Sequence, residues 1–389
     1  METQSQPDPP NATQTHGVDV ASLEKQLAAM WRETAKAEPG VTRVCLANLV
    51  VYAPDEASRA GLGELLEEIA EHTPSRVVIL HADRESEFRL DAHVSSRCRE
   101  SEKGRRQVCC EQVTLEAGGA ALASLASAVE PLLLSDVPTF LWWKDIPHYE
   151  DKLFARLVEM SDRVLIDSAA FDHPHADLTR VARLINERAD VTRLSDLNWG
   201  RLTAWRSLVA GFWDVPEYRA HLDALDSVRL EFSPPALAPE EFACQALLVA
   251  GWLASRLGWK VSGGKPARSG DTLRVALDAG GRAIELELRA AGVSHEGNLR
   301  RVTLRDAKGA AEFYAVADES GARLETCARI GAARRVGRVL AYEAKTEGQR
   351  LSRELSILAR DEVYEQAVAS AAALIAPLVA AGWGEIPVE

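Results

Sequence analysis

The sequence predicts an α/β fold: an N-terminal mixed, mostly parallel sheet with helices on its faces, and a smaller C-terminal α+β domain with an antiparallel meander. Three observations carry this. Apolar strand-like runs alternate with helix-period segments through the first half. From Asp271 to about Tyr342 the pattern changes to period-two alternation, in LRVALD, AIELELR, RVTLRD and EFYAVAD, which marks antiparallel strands with one wet face. At 389 residues the chain is long enough for two domains of ordinary size.

Residues 1–17 are polar and rich in Pro, Gln and Thr, and read as a disordered tail without the basic start and apolar run of a secretion signal. Asp19 caps a helix whose apolar residues Val20, Leu23, Leu27, Met30 and Trp31 recur at helical spacing, and Pro39-Gly40 ends it. Arg43–Ala53 is a strongly apolar strand, Pro54-Asp55 starts a helix through about Glu71, and Ser75–His81 is a second buried strand. This β-α-β order predicts a parallel pair with a crossover helix. Two partly alternating strands, around Phe88–Cys98 and Gln107–Ala117, join as a hairpin through the basic link Arg97–Arg106. A small-residue helix at about Ala120–Leu134 precedes strand Thr139–Trp143, helix Tyr149–Ser161, strand Arg163–Asp167 and helix His175–Glu187.

The middle is helical, with Trp199–Trp213 and Pro216–Leu225 as a pair, then a strand at Ser227–Phe232 and a long apolar helix at Pro239–Leu257. The chain changes character at Gly263-Gly264. The domain boundary is placed there: residues 18–262 form the N-terminal α/β domain with its helical extension, and residues 263–389 the C-terminal domain. Helices near Gln349–Leu358 and Asp361–Ala380 close the chain. The apolar segments Phe242–Trp259 and Ala367–Trp383 carry polar residues or proline and read as core helices too short or too polar to span a bilayer.

The formal charge of −13 argues against nucleic acid or an anionic membrane as a partner. The six cysteines include no CxxC pair, so no zinc-ligand spacing is present. Cys98 and Cys109 flank the hairpin and are the one local couple; buried, reduced thiols and a cytoplasmic location follow. Strand Arg43–Ala53 runs into Tyr52-Ala53-Pro54-Asp55 without a glycine cradle for a dinucleotide. Gly263-Gly264-Lys265 lacks the leading glycine and the Ser/Thr of a phosphate loop. Asp167-Ser168 follows a strand but lacks the glycines of a nucleophile elbow, which favours a cap or loop role for Ser168. Proline splays His173 and His175, and no third ligand lies close by. Neither a catalytic set nor a cofactor or metal site emerges.

What stands out is aromatic and cationic clustering. Trp142, Trp143 and Lys144 end a strand, where adjacent residues point to opposite faces, so one tryptophan is expected in the core and the other toward a loop or cleft. Trp199, Arg201, Thr203, Trp205, Arg206, Trp213 and Tyr218 crowd a second segment. On a continuous helix Trp199, Leu202, Trp205, Val209 and Trp213 share the inward face, with Arg206 at its edge and Arg201 away from it. Trp and Arg are enriched at binding hot spots. The partner-binding candidates are therefore Trp142, Trp143, Lys144, Arg201, Thr203, Arg206 and Tyr218, the arginines seeking a carboxylate, a phosphate or water.

At these residues the sequence resembles the OpcA-type glucose-6-phosphate dehydrogenase assembly proteins. The matching stretches are NLVVY (Asn48–Tyr52), PSR (Pro74–Arg76), PLLLSDVPTFLWW (Pro131–Trp143), DRVLIDS (Asp162–Ser168), RLTAWRSLVAGFWD (Arg201–Asp214) and LLVAGWLASRLGW (Leu247–Trp259). The resemblance implies a non-catalytic partner that promotes oligomerisation or activity of glucose-6-phosphate dehydrogenase in the oxidative pentose phosphate pathway. It carries over no catalytic residue and no cofactor. Some relatives tie this control to a thiol switch; the closely spaced cysteine pair near the C-terminus is missing here. Two alternatives stay open: a sugar-phosphate enzyme such as a lactonase-like hydrolase, and a metabolite sensor of the same pathway.

Overall fold

The computed structural model describes residues 13–16, 20–37, 42–100, 107–188, 193–269, 271–291, 298–306, 311–341 and 345–382. The chain divides into two compact units, each drawn from more than one stretch. The first takes Met1–Ile166, Arg188–Ser195 and Lys345–Arg360; the second takes Asp167–Glu187, Asp196–Ala344 and Asp361–Glu389.

The first unit is built on a sheet whose strands run from edge to edge Thr13–His16, Arg89–Glu100, Gln107–Gly118, Ser75–Asp83, Ala47–Tyr52, Thr139–Trp143, Arg163–Ile166 and Leu194–Asp196. Neighbours from Gln107–Gly118 to Arg163–Ile166 are parallel. Arg89–Glu100 is the antiparallel hairpin partner, and Thr13–His16, inside the segment read as a disordered tail, pairs antiparallel with it. Parallel strands covered on both faces are apolar throughout, and Ala47–Tyr52 and Thr139–Trp143 are buried at every position. Cys98 stands opposite Cys109 in the hairpin register; Asp19, Pro39-Gly40 and most of the basic link lie outside the described residues. The helix expected from Pro54-Asp55 is two helices, Glu56–Arg59 and Leu62–His72, because Gly61 between them takes φ 68°.

Two buried arginines fasten this unit. Arg76, at the start of its strand, donates to Glu111 (2.7 Å), Glu24 (2.9 Å) and the Leu132 carbonyl (2.8 Å), which ties helix Val20–Ala37 to the sheet. Arg163 donates to Ser195 Oγ at 2.6 Å and to the Ala359 carbonyl, while Ser195 Oγ donates to Glu354 at 2.8 Å. Buried guanidinium groups persist only when their donors are spent in this way.

The second unit holds a sheet ordered Lys260–Val261, Thr272–Asp278, Ala283–Ala290, Leu225–Phe232, Leu299–Asp306, Ala311–Ala317, Arg323–Ile330 and Ala333–Ala341, with Ala267–Ser269 beside Thr272–Asp278. The expected meander is therefore interrupted. Leu225–Phe232 inserts between Ala283–Ala290, to which it is parallel, and Leu299–Asp306, to which it is antiparallel. It belongs there because Val228, Leu230 and Phe232 continue the apolar rows of both neighbours. That insertion places the middle of the chain in this unit, so the division does not fall near Gly263-Gly264.

Helices Pro174–Glu187, Cys244–Leu257 and Glu362–Ala380 pack together in this unit. Glu362–Ala380 is, by length and composition, apolar enough to cross a membrane, contrary to the expectation for this segment. Here Val368, Leu374, Ile375 and Leu378 are in the core. Gly251 lets the helices touch: a Cβ there would sit 2.1 Å from the Ala367 carbonyl oxygen.

Candidate functional site

Open parallel sheets take ligands outside the carboxyl ends of the strands, where the strand order reverses. In the first unit that point is the end of Ala47–Tyr52, whose neighbours Ser75–Asp83 and Thr139–Trp143 lie on opposite sides. Aromatic rings pack it. Tyr52 stacks on Trp143 with centroids 3.7 Å apart and planes within 5°, and Phe154 meets Trp143 edge-on at 4.8 Å. The Trp143 indole donates to the Ile146 carbonyl at 3.2 Å. Burial, partly offset by Arg84, pushes the Tyr52 phenol up to about 12. Where a glycine loop would turn its amides toward phosphates, Arg59 instead binds the carbonyls of Ala53 (3.1 Å) and Pro54 (2.7 Å). Trp142 and Trp143 are both 1% exposed, so neither faces a cleft; a sheet covered on both faces has no outer side to offer. Lys144 lies with Nζ 4.5 Å from the Trp142 ring centre.

The other candidates lie in the second unit. The single helix expected over Trp199–Trp213 is three pieces, Leu197–Arg201, Thr203–Ala210 and the 3₁₀ turn Gly211–Asp214. Arg201 makes a bidentate pair with Asp167 at 2.5 and 2.7 Å, so the carboxylate it was expected to seek is supplied within the unit. The Arg206 guanidinium lies 3.5 Å over the Trp199 ring and donates to the Trp199 carbonyl and Thr203 Oγ1, both at 3.3 Å. Thr203 in turn donates to the Gly200 carbonyl at 2.8 Å. Tyr218 stands apart from this group, buried with its ring 5.1 Å from Phe313. Thus Arg206, Thr203 and Trp199 come together, Arg201 sits on its own carboxylate, and Tyr218 is sheet-covering core.

A buried polar group beside this segment escaped the sequence reading. Ser168 donates its hydroxyl to Asp196 Oδ2 at 2.6 Å and its N–H to Oδ1 at 3.0 Å. Asn198 donates to Ser168 Oγ at 3.1 Å, and Gln245 donates to Asn198 at 2.9 Å. Asp196 also caps helix Leu197–Arg201 through the Asn198 N–H at 2.8 Å. Burial, then the nearby Asp167 charge, raise the Asp196 carboxyl to about 6. The cap expected of Ser168 is made by Asp167, which accepts from the Ala169 N–H at 3.1 Å. A cavity of about 200 Å³ opens on this group, lined by Ser168, Asn198, Cys244 and Asn298 with Phe171 and Leu237 as apolar wall.

The chemistry open to this group is limited. The serine proton points at a carboxylate with no imidazole between them, unlike an activated nucleophile. Burial pushes the Cys244 thiol well above its ordinary range, which keeps it protonated. His175 is committed elsewhere: its Nε2 accepts from the Phe242 N–H at 3.1 Å, and its backbone N–H donates to the Glu241 carboxylate at 2.7 Å. Among the described residues no three His, Cys, Asp or Glu side chains gather as metal ligands would. The only sequence signal for the polar group was Asp167-Ser168 itself; Asp196 and Asn198 are spread along the chain and carry no motif.

Two family profiles match the chain. One, described as the glucose-6-phosphate dehydrogenase subunit N-terminal domain, covers residues 66–183; the other, described as the C-terminal domain of that subunit, covers residues 192–368. The chain belongs to the OpcA family. Curated relatives of this family carry the name putative OxPP cycle protein OpcA. The protein of Nostoc punctiforme is 34% identical over 243 residues, 62% of this chain and 50% of its own. That of Synechocystis sp. is 32% identical over 209 residues, 54% of this chain and 41% of its own. The chain spans about half or less of the length of these OpcA relatives. A solved aldose-aldose oxidoreductase from Caulobacter crescentus aligns at 11% identity and a TM-score of 0.46, over 87% of this chain and 98% of that one, a likeness too slight to bear on chemistry.

Proposed function

We propose that this OpcA-family chain is a non-catalytic cytoplasmic partner of glucose-6-phosphate dehydrogenase, binding it and promoting its assembly or activity in the oxidative pentose phosphate pathway. The observation that carries the reading is the match of both subunit domains, over residues 66–183 and 192–368. The geometry supports it. The strand ends that hold a dinucleotide in open parallel sheets are packed with Tyr52 and Trp143, and the buried Ser168 is hydrogen-bonded to the Asp196 carboxylate and not to an imidazole.

The test is to mix the purified chain with the dehydrogenase of the same organism, follow the mixture by analytical ultracentrifugation, and measure dehydrogenase activity. A species heavier than either component, with a raised rate or a lower apparent KM, is the expected result. Two unshifted boundaries at micromolar concentration with unchanged kinetics reject the proposal. Turnover of 6-phosphogluconolactone by a dehydrogenase-free sample favours the lactonase reading. The cavity over Ser168 keeps the metabolite-sensor reading alive, and calorimetric titration with pathway metabolites is its test.

A further inference from the structure

The strand Ala333–Ala341 is the last of the second unit's sheet, and every one of its residues is exposed. Its inner side is paired with Arg323–Ile330, from Arg323 opposite Ala341 to Ile330 opposite Ala333; among the described residues nothing pairs with its outer side. The inner side also holds it in shape. Thr326 fills a bulge by accepting from the Arg338 N–H at 2.8 Å and donating to the Arg338 carbonyl at 3.2 Å. Arg334 donates to Tyr314 OH at 3.4 Å.

The sequence of this edge, ARRVGRVLA, carries three arginines and no acid, in a chain of formal charge −13. Arg338 approaches Asp214 only at 3.9 Å, with both side chains open to water, so the local charge is not neutralised. Val336 stands between the arginines and Val339 and Leu340 follow them, 63%, 54% and 41% exposed. Charge by itself guards a strand edge against pairing. Apolar side chains do the reverse, because covering them is favourable. Both on one pre-shaped edge select a complementary strand.

The charge also decides among occupants. A second copy pairing edge to edge would set arginine against arginine, and like charges across a ladder are destabilising. An extended segment with acids at alternate positions would meet them with opposite charge. We infer that Ala333–Ala341 is the docking edge for an extended acidic segment of the partner protein, which joins the sheet as a further strand. Backbone hydrogen bonds supply affinity, and Arg334, Arg335 and Arg338 supply the choice of acids. This deepens the proposed function and rests on it, since it takes the segment to belong to the dehydrogenase.

The experiment compares the wild-type chain with Arg335→Glu/Arg338→Glu and Arg335→Lys/Arg338→Lys. Ultracentrifugation with the dehydrogenase reads affinity, and hydrogen exchange reads the amides of residues 333–341. The expected result is slowed exchange along 333–341 in the wild-type complex. The glutamate pair is expected to weaken binding by about tenfold or more at unchanged melting temperature, and the lysine pair to bind nearly as wild type. A wild-type complex whose 333–341 amides stay fast, and which the glutamate pair forms equally well, overturns the inference and leaves the proposed function standing. No complex with the wild-type chain overturns both. A dimer of this chain alone that is abolished by the glutamate pair overturns the inference in favour of a second copy.

Discussion

Trp142-Trp143-Lys144 and Trp199–Arg206 are similar in composition, two buried tryptophans with cations close by, and differ in the element that carries them and in what holds the cations. The first ends a strand buried on both faces, so its rings are core and Lys144 only lies along one of them. The second lies on short helical pieces, where Arg206 lies over Trp199 and Arg201 reaches Asp167. The difference teaches that an aromatic beside a cation marks no particular environment. The element that carries the pair decides, because a strand in a parallel sheet has no solvent side while a helix has one.

The largest expected effect that could break this comparison is in the first segment. Trp143→Ala removes the stack on Tyr52 and leaves a cavity, costing about 3–5 kcal/mol in urea unfolding; a loss below about 1 kcal/mol would mean the rings are not core. A pH series sharpens the other side. Asp196 caps the helix that carries Trp199, and its carboxyl stands at about 6 in the fold against 3.8 unfolded. A raised pKa means the folded state holds the extra proton. Between about pH 4 and 6 stability therefore falls as pH rises, by at most about 3 kcal/mol, and stays lower above that window. Asp196→Asn should flatten this slope, and an unchanged slope would assign the titration to another group.

Arg201→Ala comes next, at about 1–3 kcal/mol, because it leaves the half-buried Asp167 without its bidentate partner. Melting at the wild-type temperature would restore the view of Arg201 as a binding residue held for a partner. Arg206→Ala should cost about 0.5–2 kcal/mol through the lost contact with the Trp199 ring. Lys144→Ala should be smaller still, about 0.5 kcal/mol, and an effect as large as that of Arg201→Ala would count against the contrast drawn here.

What could be read from the sequence was whatever local periodicity encodes. Thr139–Trp143 falls where its apolar run predicts, and Glu362–Ala380 is a helix within a residue of the expected start. The insertion of Leu225–Phe232 between two later strands has no local signal, because strand order is set by which apolar rows meet. The same holds for the Arg201–Asp167 pair, 34 residues apart, and the Ser168–Asp196 contact, 28 residues apart. The edge strand Ala333–Ala341 falls inside the stretch read as antiparallel strands but was not picked out as a run of its own, for a different reason. The arginines and the bulge at Gly337 break the alternation in ARRVGRVLA by which strands are found.

The split composition of the first unit has a consequence for how the protein is made. Arg163 is satisfied by the Ala359 carbonyl, 196 residues further along the chain. During synthesis the strand Arg163–Ile166 therefore emerges long before the segment that neutralises its buried arginine. This unit cannot be finished until Lys345–Arg360 has been made, and the early sheet must wait, incompletely closed, while the intervening residues of the second unit are translated.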